Sequence, residues 1–287
     1  IYIPDRLKEG YGPNNSAIDF FYDRGINTFI TVDCGATSIE PMIYASSKGM
    51  NSIIIDHHKV DNHLPVSYAH INPSRNEDNS GLNDLAAVGL TFIFVIGLRR
   101  AIRDNNIFPD IQEPSLKQYL DLVALGTVCD VVQLRGLNRA FVKEGIDIIS
   151  KNSRLGIDGL ISISGSKDIG VTELGYRIGP RINAAGRTGA SDLGVRLLTS
   201  NSEDEVLAIS ERLDNLNKQR QNIEETVLFE AINNVDNNIA DKKLNTIPNS
   251  IIVSGKSWHL GVLGIVASRL KDKYLSLIHI SEPTRLS

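Results

Sequence analysis

The sequence has few cysteines, few aromatic residues and no long apolar segment. Cys34 and Cys129 are the only two cysteines among 287 residues, which excludes a disulfide framework and predicts a reducing, cytoplasmic location. The longest apolar run, residues 85–98, is too short to span a bilayer and is expected to form a buried core helix. No N-terminal signal pattern is present, so no membrane role is expected. The net charge of -4 does not indicate nucleic-acid binding, although a basic groove could exist within a mildly acidic total.

The most informative stretch of the sequence is residues 52–58 (SIIIDHH). A dense run of β-branched residues after Gly49 is typical of a buried strand in a parallel sheet. Ligands of open α/β sheets bind beyond the carboxyl ends of the strands, where Asp56, His57 and His58 stand. Carboxylate and imidazole ligands suit Mn²⁺, Mg²⁺, Fe²⁺ or Zn²⁺. The alternative is that Asp56 caps a helix and that both histidines are only solvated.

A second strand is expected to end beside the first one. Residues 27–33 (NTFITVD) are rich in β-forming residues and finish with Asp33. The intervening residues 39–48 fit a crossover helix, which gives a βαβ unit with parallel strands. Asp33 and Asp56 are therefore expected at the same edge of the sheet. Taken alone, Asp33 could equally be a simple turn residue.

Two later segments carry further candidate residues. Asp130 lies in residues 126–132 (GTVCDVV), next to the end of an apolar helix, and is otherwise a loop acid without function. Residues 179–187 (GPRINAAGR) contain small residues, which let a polyanion approach the backbone. They also contain Arg181 and Arg187, which suit bidentate phosphate contacts. The alternative is a tightly packed turn with two surface arginines.

The pattern of segments predicts an α/β protein in which a long helix joins a parallel-sheet domain to a second α/β domain. We assign residues 1–200 to the first domain, with short Gly-punctuated pieces over residues 155–170. Residues 201–240 form the linker helix, whose Lys218, Gln219 and Arg220 are expected on a solvated face. Residues 241–274 belong to the second domain. The tail, residues 275–287 (LSLIHISEPTRLS), resembles translated sequencing-adapter DNA and is left out of functional reasoning.

Eight motifs, taken together and in order, resemble the DHH phosphoesterase family, and within it the single-strand-specific DNA exonucleases. The motifs are PDRLKEGYG, TVDCG, IIIDHH, LAAVGLTF, LGTVCDVV, GPRINAAGR, LNKQRQNIE and WHLGVLGIVASRL, and they cover nearly the whole chain before the tail. The DHH triplet alone is shared with pyrophosphatases and oligonucleotide phosphodiesterases. GPRINAAGR and the N-x-x-R-Q pattern of the long helix are typical of the exonucleases. The resemblance implies a DHH domain followed by a partial DHH-associated domain.

This resemblance implies a two-metal phosphoesterase that uses Mn²⁺ or Mg²⁺ to hydrolyse phosphodiester bonds. By motif, Asp33, His57 and Asp130 would ligate the metal ions. Asp56 and His58 would orient these ligands or contact phosphate, as groups next to a metal site commonly do. All five residues are therefore candidate catalytic residues.

The resemblance also implies that the substrate is single-stranded DNA, degraded from its 5′ end in DNA repair and recombination. Six residues would bind it: Arg6, Ser268 and Arg269 at the terminal phosphate, Tyr11 stacked on a base, and Arg181 and Arg187 along the backbone. The alternatives are surface arginines and a helix-capping serine. A single-strand-binding protein and a helicase are the expected partners.

In the family, a D-x-D motif precedes the PDRLKEGYG segment, and the second domain continues further. The polypeptide as written is therefore expected to be an inactive or nearly inactive fragment. Two other functions are compatible with the sequence: a DHH enzyme that cleaves short oligonucleotides or cyclic dinucleotides, and a metal-free scaffold that only binds DNA or a protein partner. The five acidic and histidine residues argue against the scaffold, which has no chemical use for them.

Overall fold

A small parallel sheet organises the first part of the chain. The structure is a computed structural model that describes residues 1–5, 8–151, 154–187, 190–241, 250–274 and 277–279. The first elements are α1 (Asn15–Tyr22), β1 (Thr28–Val32), α2 (Ile39–Ser47), β2 (Asn51–Ile55) and β3 (Ala69–Ile71). The strands pair in parallel in the order β1-β2-β3, with Val32 opposite Ile55 and Ile55 opposite Ile71. The carboxyl ends of all three strands therefore lie at one edge, as the predicted βαβ unit requires.

Burial follows the sequence pattern of the strands. β2 is the central strand, and its Ile54 and Ile55 are almost fully buried. β1 alternates, because Phe29 faces the core whereas Ile30 and Val32 are 49% and 51% exposed. Isoleucine and valine suit this pleated backbone because their branched side chains pack against cross-strand neighbours. The sheet thus holds the residues that follow β1 and β2 on a rigid, partly buried support.

Helices form most of the remaining structure. They are α3 (Ala87–Asp104), a 3₁₀ turn (Lys117–Tyr119), α4 (Leu120–Cys129), α5 (Gly136–Lys151), α6 (Leu155–Ser164), α7 (Val171–Glu173), a π-helical turn (Leu174–Ile178), α8 (Gly179–Arg187) and α9 (Leu193–Thr199). α4 packs between α3 and α5, and its buried Val123, Ala124 and Val128 reflect that central position. This packing fixes the C-terminus of α4 close to the sheet.

The apolar run of residues 85–98 lies mainly in α3, and its burial is one-sided. Leu85, Ala87 and Leu90 are buried, whereas Ile96 and Leu98 are 40% and 46% exposed. The prediction of a buried core helix is therefore wrong for the second half of the run. Of the helices in the described part of the chain, none has the length and apolarity needed to cross a membrane.

A helix occupies much of the region for which the sequence predicts short, irregular pieces. Leu155–Ser164 form α6, with Ile157 and Leu160 fully buried. Gly156 explains the difference, because a Cβ atom at this position would lie 2.1 Å from the carbonyl oxygen of Leu197. The glycine allows α6 to pack closely against α9, so it is a packing residue here and does not break the helix.

A long helix leads to a smaller α/β unit. α10 spans Glu203–Asp241 and is followed by β4 (Ser250–Ile252), α11 (Leu260–Tyr274) and β5 (Leu277–His279), with β4 and β5 paired in parallel. Val227, Ala231 and Val235 of α10 share a hydrophobic cluster with Val262 and Val266 of α11. The predicted fold class is confirmed, whereas the domain boundaries stay predictions. β5 lies within the tail that sequence analysis set aside.

Candidate metal centre

Three side chains meet where β1, β2 and α4 end. Asp33 directly follows β1, His57 stands shortly after β2, and Asp130 caps the C-terminus of α4. The Nε2 atom of His57 lies 3.3 Å from Oδ1 of Asp33 and 3.4 Å from Oδ2 of Asp130. The structure thus brings together the three residues that the sequence selects as metal ligands. Their binding of a metal stays a prediction at this point.

Two non-glycine residues in the left-handed conformation shape the turns of this site. Asp33 has a φ of 60°, and Val131, which follows Asp130, has a φ of 58°. Such conformations are unfavourable for residues with a Cβ atom and tend to cluster at functional sites, where surrounding contacts hold them. The Asp33 N–H donates to the carbonyl of Ile55 at 3.0 Å, which ties the turn after β1 to β2.

Asp56 is a buried anchor of the site. Its side chain is 1% exposed, and its Oδ2 accepts the backbone N–H of Ala36 at 2.9 Å. Its Oδ1 accepts the N–H of His57 at 2.8 Å and lies 2.7 Å from Nδ1 of His58. Burial alone would raise the pKa of Asp56, but these hydrogen bonds outweigh it and hold the pKa below its ordinary value. With both oxygens engaged, Asp56 stabilises the turns that carry Asp33 and His57.

Gly35 makes the contact between the two turns possible. Its φ is 104°, and a Cβ atom there would lie 2.7 Å from Oγ1 of Thr31. Both the backbone conformation and the close approach require glycine. The turn after Asp33 can therefore direct the Ala36 N–H towards the carboxylate of Asp56.

The loop after β3 holds the two histidines from the opposite side. Asn72 is 3% exposed, and its Nδ2 donates to the carbonyl of His58 at 2.9 Å. Ser74 Oγ donates to the carbonyl of His57 at 3.1 Å, and the Ser74 N–H donates to Oδ1 of Asn72 at 2.8 Å. Sequence analysis missed both residues. The available signal was residues 72–74 (NPS), which follow the third parallel strand and so lie at the same sheet edge.

The charges of the three-residue cluster shift the pKa values of its members. The contact with Asp33 and the nearby Asp130 raise the pKa of His57, although burial acts in the other direction. Burial raises the pKa of Asp130, and the charge of Asp33 adds to this effect while His57 opposes it. Among the described residues, Nε2 of His57 is buried and has no well-directed hydrogen bond. A buried imidazole nitrogen between two carboxylate oxygens fits a divalent cation shared by all three groups.

Asp33, Asp56, His57 and His58 each offer a ligand atom, and all four atoms lie within 4.8 Å of one another. Protein N–H groups already donate to both oxygens of Asp56, which leaves this carboxylate fewer lone pairs for a cation. Asp130, whose Oδ2 lies 3.4 Å from Nε2 of His57, stays the predicted third ligand. A cavity of about 260 Å³ opens beside this cluster and is lined by Val32, Asp33, Ala86, Ala87, Val88, Thr91, Gly126 and Asp130.

Known proteins are similar to this chain in sequence and in overall structure. The family model described as "DHH family, N-terminal domain" matches residues 1–127. The single-stranded-DNA-specific exonuclease RecJ of Escherichia coli (strain K12) is 35% identical over 277 residues, which cover 95% of this chain and 48% of that protein. A crystal structure of exonuclease RecJ bound to manganese matches 97% of this chain and 66% of that chain, with a TM-score of 0.81 at 30% identity. The chain belongs to the DHH family.

A further structural match extends the comparison to a different metal. RecJ of Thermus thermophilus in complex with Mg²⁺ matches 88% of this DHH-family chain and 34% of that chain, with a TM-score of 0.67 at 29% identity. The chain spans about half or less of the length of the curated relatives it matches. Asp33, Asp56, His57 and His58 lie inside the region matched by the DHH family model, and Asp130 lies just beyond it.

Arg181, a predicted DNA contact of this DHH-family chain, is engaged by protein groups. Its Nε and Nη2 atoms lie 2.9 Å and 2.8 Å from Oδ1 of Asp214, and its Nη1 donates to the carbonyl of Arg177 at 2.6 Å. Residues 179–187 form α8, not the packed turn that the sequence leaves open. Phosphate binding by Arg181 stays a prediction and would require DNA to share or displace Asp214. Arg6 lies outside the described residues, as does the side chain of Arg187.

Tyr11 is 76% exposed and lies at a cavity of about 560 Å³. The N-terminal segment, α8 and α9 form this cavity, which is lined by Ile3, Pro4, Gly10, Tyr11, Gly12, Ile182, Asn183, Gly186, Ser191, Gly194, Val195 and Leu198. Stacking of a base on Tyr11 stays a prediction.

The two predicted phosphate ligands of α11 lie next to the long helix. Ser268 is exposed, and Nη2 of the half-exposed Arg269 lies 2.7 Å from Oε1 of Glu224 on α10. Arg220 also contacts Glu224, through Nη1 at 2.8 Å, and its side chain is only 13% exposed. The prediction that Arg220 belongs to a solvated face is therefore wrong, because a buried carboxylate holds it against the helix.

Proposed function

We propose that this protein acts in a metal-dependent exonuclease that hydrolyses single-stranded DNA. Asp33, His57 and Asp130 would be ligands for Mn²⁺ or Mg²⁺. The observation that carries the proposal is the buried Nε2 atom of His57, which lies between two carboxylate oxygens without a well-directed hydrogen bond. The names of the relatives supply the substrate class, since they are described as single-stranded-DNA-specific exonucleases. The action would take place in the cytoplasm.

Each residue of the proposed centre would have its own role around the metal. Bound Mn²⁺ or Mg²⁺ would supply Lewis-acid activation of the scissile phosphate and of the attacking water. Asp33 and Asp130 would provide oxygen ligands, and His57 would provide a nitrogen ligand. Asp56 keeps the Asp33 and His57 turns in register through its hydrogen bonds to backbone N–H groups. His58 orients its ring through Nδ1 on Asp56, which leaves the half-exposed side of the ring for contact with phosphate.

A second metal ion needs more oxygen ligands than these three residues offer, because Mg²⁺ requires close to six ligands. The open cavity beside Asp33 and Asp130 lies along β1, the outer strand of the sheet in the described part of the chain, and water, phosphate oxygens or further carboxylates could complete the coordination there. The two-metal arrangement therefore rests on the resemblance and on this open edge.

The DNA would extend from the metal centre towards the exposed aromatic and basic groups. Tyr11 would stack on a base, which is a sequence-tolerant contact. Arg6, Ser268 and Arg269 would hold the 5′-terminal phosphate, and Arg187 with Arg181 would hold the backbone. The proposed organisation is a DHH domain over residues 1–200, a linker helix over residues 201–240 and part of a DHH-associated domain over residues 241–274. A single-strand-binding protein and a helicase stay partners suggested by the resemblance.

Metal binding tests the centre independently of catalysis. The EDTA-treated chain is titrated with Mn²⁺, and the EPR signal of the free ion is followed for the wild type and for Asp33→Asn, Asp130→Asn and Asp110→Asn. The last variant removes one exposed carboxylate that follows the C-terminal end of α3, whereas the N-terminal end of α3 lines the cavity at the site, so it serves as the matched control. We expect about 10-fold or greater weakening for the first two variants only, by analogy with lost metal contacts elsewhere. Unchanged Mn²⁺ affinity in both site variants would contradict the proposed ligand set.

Hydrolysis tests the substrate class. Nucleotide release is measured with this chain and with the longest natural reading frame that contains it, on a 5′-phosphorylated single strand, a dinucleotide and a cyclic dinucleotide. Preferred release from the long single strand, lost in Asp33→Asn, supports the exonuclease. Preferred cleavage of the short substrates favours the alternative DHH phosphodiesterase. DNA binding without metal binding or hydrolysis in either protein leaves only the scaffold function.

A further inference from the structure

We infer that Glu224, in the middle of α10, positions Arg269 for recognition of the terminal phosphate of single-stranded DNA. The inference rests on the proposed function, because it concerns the phosphate site assigned there to Arg269. Three residues carry it: Glu224, Arg220 and Arg269, which we call the Glu224 cluster. Two of them belong to the LNKQRQNIE motif, for which the mechanism proposed above has no use.

The Glu224 cluster consists of one buried carboxylate held between two guanidinium groups. Glu224 is 2% exposed, and its two oxygens contact different arginines. Oε2 accepts from Nη1 of Arg220 at 2.8 Å, and Oε1 forms an ion pair with Nη2 of Arg269 at 2.7 Å that lacks the alignment of a hydrogen bond. A buried carboxylate is stable only when it is paired in this way. Glu224 therefore fixes one end of the Arg269 side chain against α10.

The two arginines of the cluster differ in what remains available to a ligand. Arg220 is 13% exposed, and its Nη2 also donates to Oδ1 of the buried Asn217 at 3.1 Å. Arg269 is 55% exposed, and its contact with Glu224 uses one guanidinium nitrogen. Among the described residues, the other nitrogens of Arg269 have no hydrogen-bond partner. Arg269 can therefore bind Glu224 and present donors to a phosphate at the same time.

The charge of the cluster also favours an anion at Arg269. Glu224 alone would neutralise Arg269 and weaken its attraction for phosphate. Arg220 offsets that effect, since two guanidinium groups and one carboxylate leave a net positive charge, which faces solvent at Arg269. An arginine that is ordered before DNA arrives also loses less conformational freedom on binding. The adjacent Ser268 is exposed and can donate its hydroxyl to the same phosphate.

Binding of two otherwise identical DNA strands tests this role directly. Fluorescence anisotropy in EDTA measures the affinity of the full chain for a 5′-phosphorylated and a 5′-hydroxyl single strand of one sequence. The phosphate preference is the ratio of the two affinities, and a merely structural role would leave this ratio unchanged. We expect Arg269→Gln to abolish the preference and Glu224→Gln to reduce it about fivefold or more, which corresponds to about 1 kcal/mol.

Glu230→Gln is the matched control. Glu230 also lies on α10 and accepts the indole N–H of Trp258, two residues before α11, at 2.7 Å, so the control makes the same chemical change at another contact of α10. The phosphate preference should survive this change. Far-UV circular dichroism reports whether each variant is folded, because the control itself changes the hydrogen-bond partner of Trp258. If Glu224→Gln does not fold, Glu224→Asp replaces it, because it keeps the charge but withdraws the carboxylate from Arg269.

The outcomes separate this inference from the proposed function. A wild-type chain without any phosphate preference overturns the phosphate site at Arg269 and this inference with it, whereas the proposed function is decided by Mn²⁺ binding and by hydrolysis. A preference that is lost in Arg269→Gln but intact in a folded Glu224→Gln or Glu224→Asp variant overturns the positioning role alone. A preference that falls in the Glu224 variants and persists in Glu230→Gln supports the inference.

Discussion

Replacing Asp56 by asparagine should separate the stability of the site from its affinity for metal. Asp56 is 1% exposed, and its carboxylate accepts N–H groups from both flanking turns. Asparagine has nearly the same shape but only one acceptor oxygen, and its amide would turn a donor towards one of the existing donors. If the oxygen keeps the place of Oδ1, the amide faces the N–H of Ala36.

The expected cost follows from these contacts. A lost bond that leaves two buried donors facing each other costs about 2 kcal/mol. The bonds from the His57 N–H and from His58 Nδ1 lose their charged acceptor, which weakens each by about 1 kcal/mol. The free energy of unfolding of the Asp56→Asn variant should therefore be about 4 kcal/mol lower than that of the wild type. By contrast, the side chain of Asp33 is 58% exposed, and Asp33→Asn should change stability by about 0.5 kcal/mol or less.

Urea unfolding in EDTA, followed by far-UV circular dichroism, measures both differences without a contribution from bound metal. The pKa of Asp56 is lower in the folded protein, so its carboxylate stabilises the fold fully above the unfolded value of about 4 and loses this effect as the pH falls through the folded value. The difference in the free energy of unfolding between Asp56→Asn and the wild type should accordingly become smaller below about pH 4. A gap under about 1 kcal/mol at pH 7 would refute the view that Asp56 anchors the site.

Three further changes test other contacts. Asn72→Ala removes two hydrogen bonds behind the histidines. Thermal unfolding should therefore show that the free energy of unfolding falls by about 1–3 kcal/mol, and EPR should show weaker Mn²⁺ binding. If both quantities stay unchanged, Asn72 does not position the histidines. Gly156→Ala should destabilise by about 1–3 kcal/mol in thermal melts, whereas Gly97→Ala, where a Cβ atom meets nothing within 4 Å, should not. Burial, and then its hydrogen bond to a carboxylate of α10, raises the pKa of Tyr274 to about 12. A difference titration against Tyr274→Phe should show that pKa, and the hydroxyl's stabilisation should be complete below pH 10 and decline towards pH 12.

Much of the site could be predicted from one rule about parallel sheets. The sequence places Asp33 and Asp56 after successive strands, and the register of β1 and β2 puts the ends of these strands side by side. Asp130 is different, because it caps a helix and no local pattern relates it to the strands. Its position marked it as a candidate, but only the motif resemblance gave it a role as a ligand, and the packing of α4 beside the sheet explains why it lies 3.4 Å from His57.

The roles of individual side chains were harder to predict than their positions. Asp56 and His57 are neighbours in the same motif, yet one accepts backbone N–H groups and the other faces two carboxylates. This division depends on the conformation of the turn at Gly35 and on the contacts of Asn72, which composition and periodicity do not contain. Gly156 shows the same limit, since a glycine that packs a helix and a glycine that ends one look alike in sequence.

The role of an arginine is especially hard to predict from sequence, because carboxylate and phosphate both offer paired oxygens that suit a guanidinium group. Arg181 and Arg269 were both selected as phosphate contacts, and both pair with carboxylates of α10. The two arginines differ in the exposure of their side chains. Arg181 is 15% exposed and directs all three nitrogens to protein acceptors, so its first role is to hold α8 against α10. Arg269 is 55% exposed with one nitrogen engaged, so of the two it is the arginine able to bind a phosphate without giving up its carboxylate partner.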